Sequence, residues 1–134
     1  MYKFDSNAER IFAIVLENDV SVVRWMRPSA KQFNIYYGLG GMSRYEPDFI
    51  VETDSIIYMA EIKSANEVKS AVDNKSGDVW EKAIAGHKYC QAVTEWGSEN
   101  RGKPWQYILI PHDEVKTHSS FVHLISNAMP VKEI

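Results

Sequence analysis

Apolar and polar positions along the chain change period several times, and each change marks an element. Ala8, Ile11, Phe12, Val15 and Leu16 recur at helical spacing, and the pattern ends near Asn18-Asp19. Ser6 precedes this stripe and Glu9 follows three positions later. That is the arrangement of a capping box, in which a hydroxyl and a carboxylate each satisfy an orphan N–H of the first turn. Val20 to Trp25 is rich in β-branched residues and is stopped by Arg27-Pro28. Phe33, Ile35 and Tyr37 alternate with polar or smaller positions, as in a strand. Tyr45 to Val51 reads as the next strand, with Pro47 near its start, where a missing N–H is tolerated. Ile56 to Lys63 is another, apolar until Glu61, and the polar run Glu52-Thr53-Asp54-Ser55 joins the two as an antiparallel hairpin.

Beyond Lys63 the pattern loosens. Ser64 to Gly77 is polar and reads as a loop with room for one helical turn. Asp78 and Glu81 form a second box-like start for a helix that carries Val79, Trp80, Ala83, Ile84, His87, Cys90 and Val93, with Gly97 as its C-cap. Trp105 to Ile110 is a strand stopped by Pro111, and Ser120 to Ala128 is a last helix with Phe121, Leu124 and Ile125 on its apolar face. Gly38-Leu39-Gly40-Gly41 predicts a flexible connection. It is no phosphate-cradling loop, because it has no Lys-Ser/Thr pair and no helix after it. The resulting order, α-β-β-β-β-α-β-α, predicts an α/β sandwich with a mixed central sheet flanked by helices.

The 134 residues, 45% hydrophobic, suffice for one domain with its own core, spanning 1–134. No apolar run reaches the length of a membrane span. The start, Met1-Tyr2-Lys3-Phe4-Asp5, has no apolar signal-peptide core, and the single Cys90 allows neither an internal disulfide nor a Cys-rich zinc site. The expectation is a cytoplasmic protein in which Cys90 is a small buried helix residue.

Strand periodicity carries the chemistry. Residues two apart share a face, so Glu61 and Lys63 point together while Ile62 turns into the core with Ile56, Tyr58 and Ala60. An acid and an amine closing an otherwise buried strand are partly desolvated, which is costly unless they pair or bind something. Asp48 lies on the partner strand, with twelve residues between it and Glu61. A turn centred between Thr53 and Asp54 sets Met59 opposite Asp48 and Glu61 at the next position on that face, about 7 Å or less between Cβ atoms. Two hard carboxylate ligands completed by water suit Mg²⁺, with Mn²⁺ able to substitute. Such an ion neutralises charge on a phosphate and acidifies a bound water. Lys63 beside it would orient or deprotonate the attacking water and stabilise the oxyanion.

Pro47-Asp48 followed by Glu61-Ile62-Lys63 resembles the signature of the PD-(D/E)XK nucleases, and the strand and helix order resembles their restriction-endonuclease-like α-β-β-β-α-β core. A narrower similarity covers nearly the whole chain. The runs FDSNAERIFA, VVRWMRP, IYYG, YEPDFIVE, MAEIKSA, VWEKAIAGHKYC and KPWQYILIPHDEV look like the C-terminal endonuclease domain of type III restriction enzyme Res subunits. The resemblance implies a metal-dependent DNA endonuclease with Asp48, Glu61 and Lys63 at its centre and the Ile62 carbonyl as a further metal ligand. It also implies a first-helix acid, here Glu9, reaching the metal site, and a polar residue, here Lys82, assisting it. A helicase-like motor region and a methyltransferase subunit would be its partners in a type III system. The chain carries no motor motif and would be the nuclease part, either a fragment or a free-standing relative.

Plainer readings stand beside these. Asp48 as a strand-end turn acid, Glu61 and Lys63 as a surface pair, Glu9 as a cap alone and Lys82 as a solvated helix lysine all fit the pattern. Lys69, Lys75, Lys88, Arg101 and Lys103 are scattered cations of the kind that usually marks a wet surface. The four histidines have no zinc spacing, and no Gly-x-Ser-x-Gly elbow exists. Trp25, Trp80, Trp96 and Trp105 are expected in the core, with Trp96 and Trp105 as candidates to stack on an unpaired base. The net charge of −3 argues against a dedicated nucleic-acid binder. Clustered metal-binding carboxylates lower the charge without spoiling a local basic groove, which weakens that argument. The alternative class is a catalytically inactive module of the same fold that binds nucleic acid or protein.

Overall fold

The structure is a computed structural model and describes residues 6–30, 32–99 and 101–128. The elements run α1 (Asn7–Asn18), β1 (Val22–Met26), β2 (Ile35–Tyr37), β3 (Ser43–Tyr45), β4 (Phe49–Thr53), β5 (Ile57–Lys63), α2 (Ala65–Asn74), α3 (Asp78–Ser98), β6 (Trp105–Pro111) and α4 (Phe121–Asn127). Short 3₁₀ turns follow β2 and β6.

Four strands form a mixed sheet in the order β1-β4-β5-β6. The first three are antiparallel neighbours, and β6 runs parallel to β5. A parallel pair needs a long crossover, and α2 with α3 supplies it. Alternation along β4 and β5 divides the interior in two. Phe49, Val51, Tyr58, Ala60 and Ile62 face Phe12, Val15 and Leu16 of α1 and Phe121 and Leu124 of α4. Ile50 and Met59 face the other way, with Tyr107 and Leu109, against Val68, Ala83 and Cys90 of α2 and α3. The second layer also holds a separate ribbon of β2 paired antiparallel with β3, whose Ile35 and Tyr45 are buried in it.

Local chemistry explains the boundaries. Ser6 caps α1 as the pattern predicts, its hydroxyl accepting from the Glu9 N–H at 3.2 Å, while the Glu9 carboxylate meets the Ser6 hydroxyl and Arg27. At its other end Asp19 accepts from the N–H and hydroxyl of Ser21 and, at 2.6 Å, from the Phe121 N–H, which ties α1 to the start of α4.

Several expectations need correction. Ser64 to Gly77 is no loop: Ser64 accepts from the Glu67 N–H and starts a ten-residue helix, α2, whose Val68 and Ala71 are buried. The run from Tyr45 to Val51 is two strands, because Pro47 lacks the N–H a continuing ladder needs. Only β4 joins the main sheet, while β3 pairs with β2. The α3 N-cap is Gly77 with no side-chain cap, and Asp78 instead pairs with Lys82 at 3.0 Å. Gly97 lies inside α3, not after it. It is buried against the Gly102 backbone, and a Cβ there would make only ordinary contact at 3.6 Å. Trp96 is exposed and Trp80 is buried.

Candidate active site

The hairpin turn is centred on Asp54-Ser55, one residue beyond expectation, with Thr53 and Ile56 closing it. The register therefore pairs Phe49 with Ala60 and Ile50 with Met59. Asp48, just before β4, comes level with Glu61 and not with Met59. A two-residue slip keeps the face, since side chains alternate with period two. Asp48 leaves the ladder here, and its Oδ2 accepts from the Ile62 N–H at 3.1 Å. Its carboxyl is in hydrogen-bond contact with that of Glu61. The Lys63 amine lies 3.5 Å from Glu61 Oε2. The Glu61 side chain is 6% exposed and that of Lys63 31%, so the acid is sealed in while the amine reaches solvent.

Two carboxyl groups buried in contact do not both carry charge at low cost. Burial, then the neighbouring Asp48 charge, pushes the Glu61 carboxyl up to about 8. Burial also raises Asp48, against the pull of the Ile62 N–H, Lys63 and Arg27. Glu61 is thus the protonated partner at neutral pH and donates to Asp48.

Residues that pattern reading did not single out complete the surroundings. The Tyr45 hydroxyl donates to Glu61 Oε1 at 2.6 Å and lies 3.1 Å from the Tyr107 hydroxyl. Burial raises both phenols well above their ordinary range, so they stay protonated. Arg27, at the end of β1, bonds Glu9 Oε1 at 2.6 Å with its guanidinium 5.1 Å from the Phe49 ring centre. Its charge also acts on Asp48. Tyr45 follows the same alternation as the strand positions and could have been read as inward. Arg27 and Tyr107 come from elements far along the chain, and no local signal marks them.

No family model, no curated protein and no solved structure matches this chain.

The predicted residues fall into place as follows. Asp48, Glu61 and Lys63 converge, with the Ile62 backbone between them. Glu9 is buried on α1 and holds Arg27, whose charge also acts on Asp48. Lys82 pairs with Asp78 at 3.0 Å and lies within electrostatic range of Glu61. Burial opposes its charge, but Asp78, Tyr37 and Glu61 outweigh that and raise its affinity for a proton. Its Nζ lies 5.5 Å from the Tyr37 ring centre. Lys103 instead pairs with Glu52 at 2.6 Å, and Lys69 with Asp73 at 2.6 Å. Cys90 is buried, and burial pushes its thiol up to about 12, so it is not a nucleophile.

A divalent cation suits the donor set. The pair offers hard oxygens, and a dication between them would relieve the repulsion that now holds a proton on Glu61. Among the described residues no group of three or more His, Cys, Asp or Glu side chains is gathered for a metal. The ion would therefore keep several waters, as Mg²⁺ does. Among the same residues no helix is long and apolar enough to cross a membrane.

Proposed function

We propose that this domain is a divalent-metal-dependent endonuclease of the PD-(D/E)XK type that hydrolyses phosphodiester bonds in DNA. The observation that carries the reading is the meeting of Asp48 and Glu61 with the Lys63 amine at the end of one sheet face. The succession α1, β1, β4, β5, α3, β6, with three antiparallel strands and then a parallel one, supports a restriction-endonuclease-like core. The runs resembling Res subunits extend the proposal to the cleavage domain of a type III restriction enzyme. It would work beside a helicase-like motor region, with a methyltransferase subunit as a further partner.

Asp48, Glu61 and the Ile62 carbonyl would hold Mg²⁺, or Mn²⁺ in its place. The bound ion would supply charge neutralisation at the phosphate and a more acidic water. Asp48 is oriented for this by the Ile62 N–H, and Glu61 by Tyr45. Lys63 reaches solvent from beside Glu61 and would orient an attacking water and steady the oxyanion. Lys82 and Arg27 add positive charge that acts on Glu61 and Asp48 respectively.

The test is incubation with supercoiled plasmid in Mg²⁺, Mn²⁺ or EDTA. Native protein should nick or linearise the plasmid only with metal, and Lys63→Ala should be slower by roughly two orders of magnitude. Cutting in EDTA, or equal cutting by Lys63→Ala, would remove the assignment. The second reading is an inactive module of the same fold that binds nucleic acid or protein. It draws support from the net charge of −3 and from the occupation of Glu9 by Arg27. Binding of DNA with no cleavage in any metal would favour it.

A further inference from the structure

A groove of about 570 Å³ runs between β2 of the ribbon and the N-terminal half of α3. Tyr36 and Tyr37 form its ribbon wall, Trp80 and Lys88 line it from α3, and Lys75 stands at the end of α2. Glu81 is the one acid among its lining residues. Tyr36 is half exposed, so its ring is presented and not packed away. Arg44 holds that ring in place, stacked 5.3 Å from its centre and donating to its hydroxyl at 2.9 Å. Lys75 and Lys88 make no ion pair among the described residues, unlike Lys69 and Lys103. Beyond Gly38, which also lines the groove, the ribbon tip presents Leu39 and Met42 to solvent.

We propose that this groove binds an unpaired nucleic-acid strand, with a base stacked on Tyr36 and Lys75 and Lys88 against the flanking phosphates. The inference rests on the nuclease reading for its direction. Tyr37 lines the groove and also lies against Lys82 and bonds Asp78, and Glu61 shares its strand face with Met59, which packs against α3. A strand in the groove would therefore lie on the side of the sheet that carries Glu61. The choice of an unpaired strand follows from the ring. A duplex shows phosphates and base edges but hides base faces, so it would gain from the lysines and little from Tyr36. An aromatic wall with cations beside it is the composition that holds single strands, each stacked base adding substantially to affinity. Two lysines against one acid leave the lining positive, in a chain that is acidic as a whole.

The experiment is fluorescence anisotropy in EDTA, where no cleavage occurs, with a labelled oligothymidylate and a duplex of equal length. Native protein should prefer the single strand. Tyr36→Leu, which keeps apolar bulk but no ring, should weaken single-strand binding roughly tenfold, and Tyr36→Phe should retain it within about twofold. Lys75→Gly combined with Lys88→Gln should also weaken binding and flatten its salt dependence by roughly 1.4 units of slope. Glycine suits the positive φ of 50° at Lys75, so that pair does not strain the fold. Tyr36→Leu binding as tightly as native, or duplex binding as tightly as single strand, would overturn the proposal. Plasmid cutting measured in parallel separates the two readings. Lost oligonucleotide binding in Tyr36→Leu with no cutting by native protein would keep the groove and sink the nuclease. Metal-dependent cutting with unchanged Tyr36→Leu binding would do the reverse.

Discussion

Tyr45 donates to Glu61 Oε1 at 2.6 Å from a strand that belongs to the ribbon and not to the main sheet. The bond joins the two β layers at the carboxylate and fixes which oxygen of Glu61 is already engaged. Tyr45→Phe keeps the ring in its buried place and removes only the donor. It should leave an unsatisfied buried oxygen, costing about 1–3 kcal/mol. Because the orientation of Glu61 is lost, Mn²⁺ affinity by calorimetry should fall roughly tenfold to a hundredfold. Unchanged affinity would show that Tyr45 is only a core residue.

Tyr107 has its own support in Gly86 of α3. A Cβ at that position would lie 2.5 Å from two carbons of the Tyr107 ring. Gly86→Ala gains about 1 kcal/mol of helix propensity. It must also move the ring or the helix, at a cost typically about 1–3 kcal/mol. Net destabilisation is expected by thermal melting, together with weakened Mn²⁺ binding as Tyr107 withdraws from Tyr45. A stabilised Gly86→Ala protein would mean that the ring yields freely.

These cases mark what was legible in the chain. The Ser6 cap of α1, the apolar run into Glu61 and the presence of a turn after β4 are local features that the pattern places correctly. The turn centre was misplaced by one residue, which shifts the register by two. The face of Asp48 survived because the strand period is also two. The helix α2 was hidden by its composition: Val68, Ala71 and Val72 are few among Asn66, Glu67, Lys69, Ser70 and Asp73. The partners of the site were hidden for another reason. Arg27, Tyr45 and Tyr107 reach it across three separate elements, and nothing local in sequence encodes that meeting.

Glu9 and Arg27 form a pair whose side chains are 8% and 15% exposed. Removing one partner of a buried pair strands the other charge, so Glu9→Ala should destabilise the protein by about 3–5 kcal/mol in urea titration. Glu9→Gln combined with Arg27→Met should recover much of that loss. The same variants test the metal role. If Glu9→Gln binds Mn²⁺ as native does, Glu9 serves Arg27; if affinity collapses, the acid belongs to the metal site.

Asp19 sets an acid limit on stability. Burial opposes its charge, but hydrogen bonds from the Phe121 and Ser21 N–H groups and the Ser21 hydroxyl outweigh burial and hold the carboxyl below its ordinary value of 3.8. A depressed folded value means the unfolded chain takes up the proton first. Its stabilisation is therefore complete above the unfolded value and is lost as pH falls through the folded one. Asp19→Asn should cost about 1–3 kcal/mol at neutral pH, and less as the pH drops below about 4. Urea midpoints measured from neutral pH downward should converge for the two proteins. A constant gap across that range would contradict the assignment.

Lys63 separates binding from chemistry. Asp48→Ala or Glu61→Ala removes one of the two carboxylates, leaving too few fixed oxygens, so Mn²⁺ binding and plasmid cutting should both disappear. Lys63→Ala should part the two readouts. Its amine, 3.5 Å from Glu61 Oε2, repels an incoming dication, so its removal should leave Mn²⁺ affinity unchanged or tighter. Cutting should nonetheless fall by roughly two or more orders of magnitude, the scale of a lost acid–base or oxyanion group. Calorimetry and plasmid nicking on the same three variants decide it. A Lys63→Ala protein that loses metal affinity in step with activity would make the lysine a support for Glu61 and leave the attacking water without its partner.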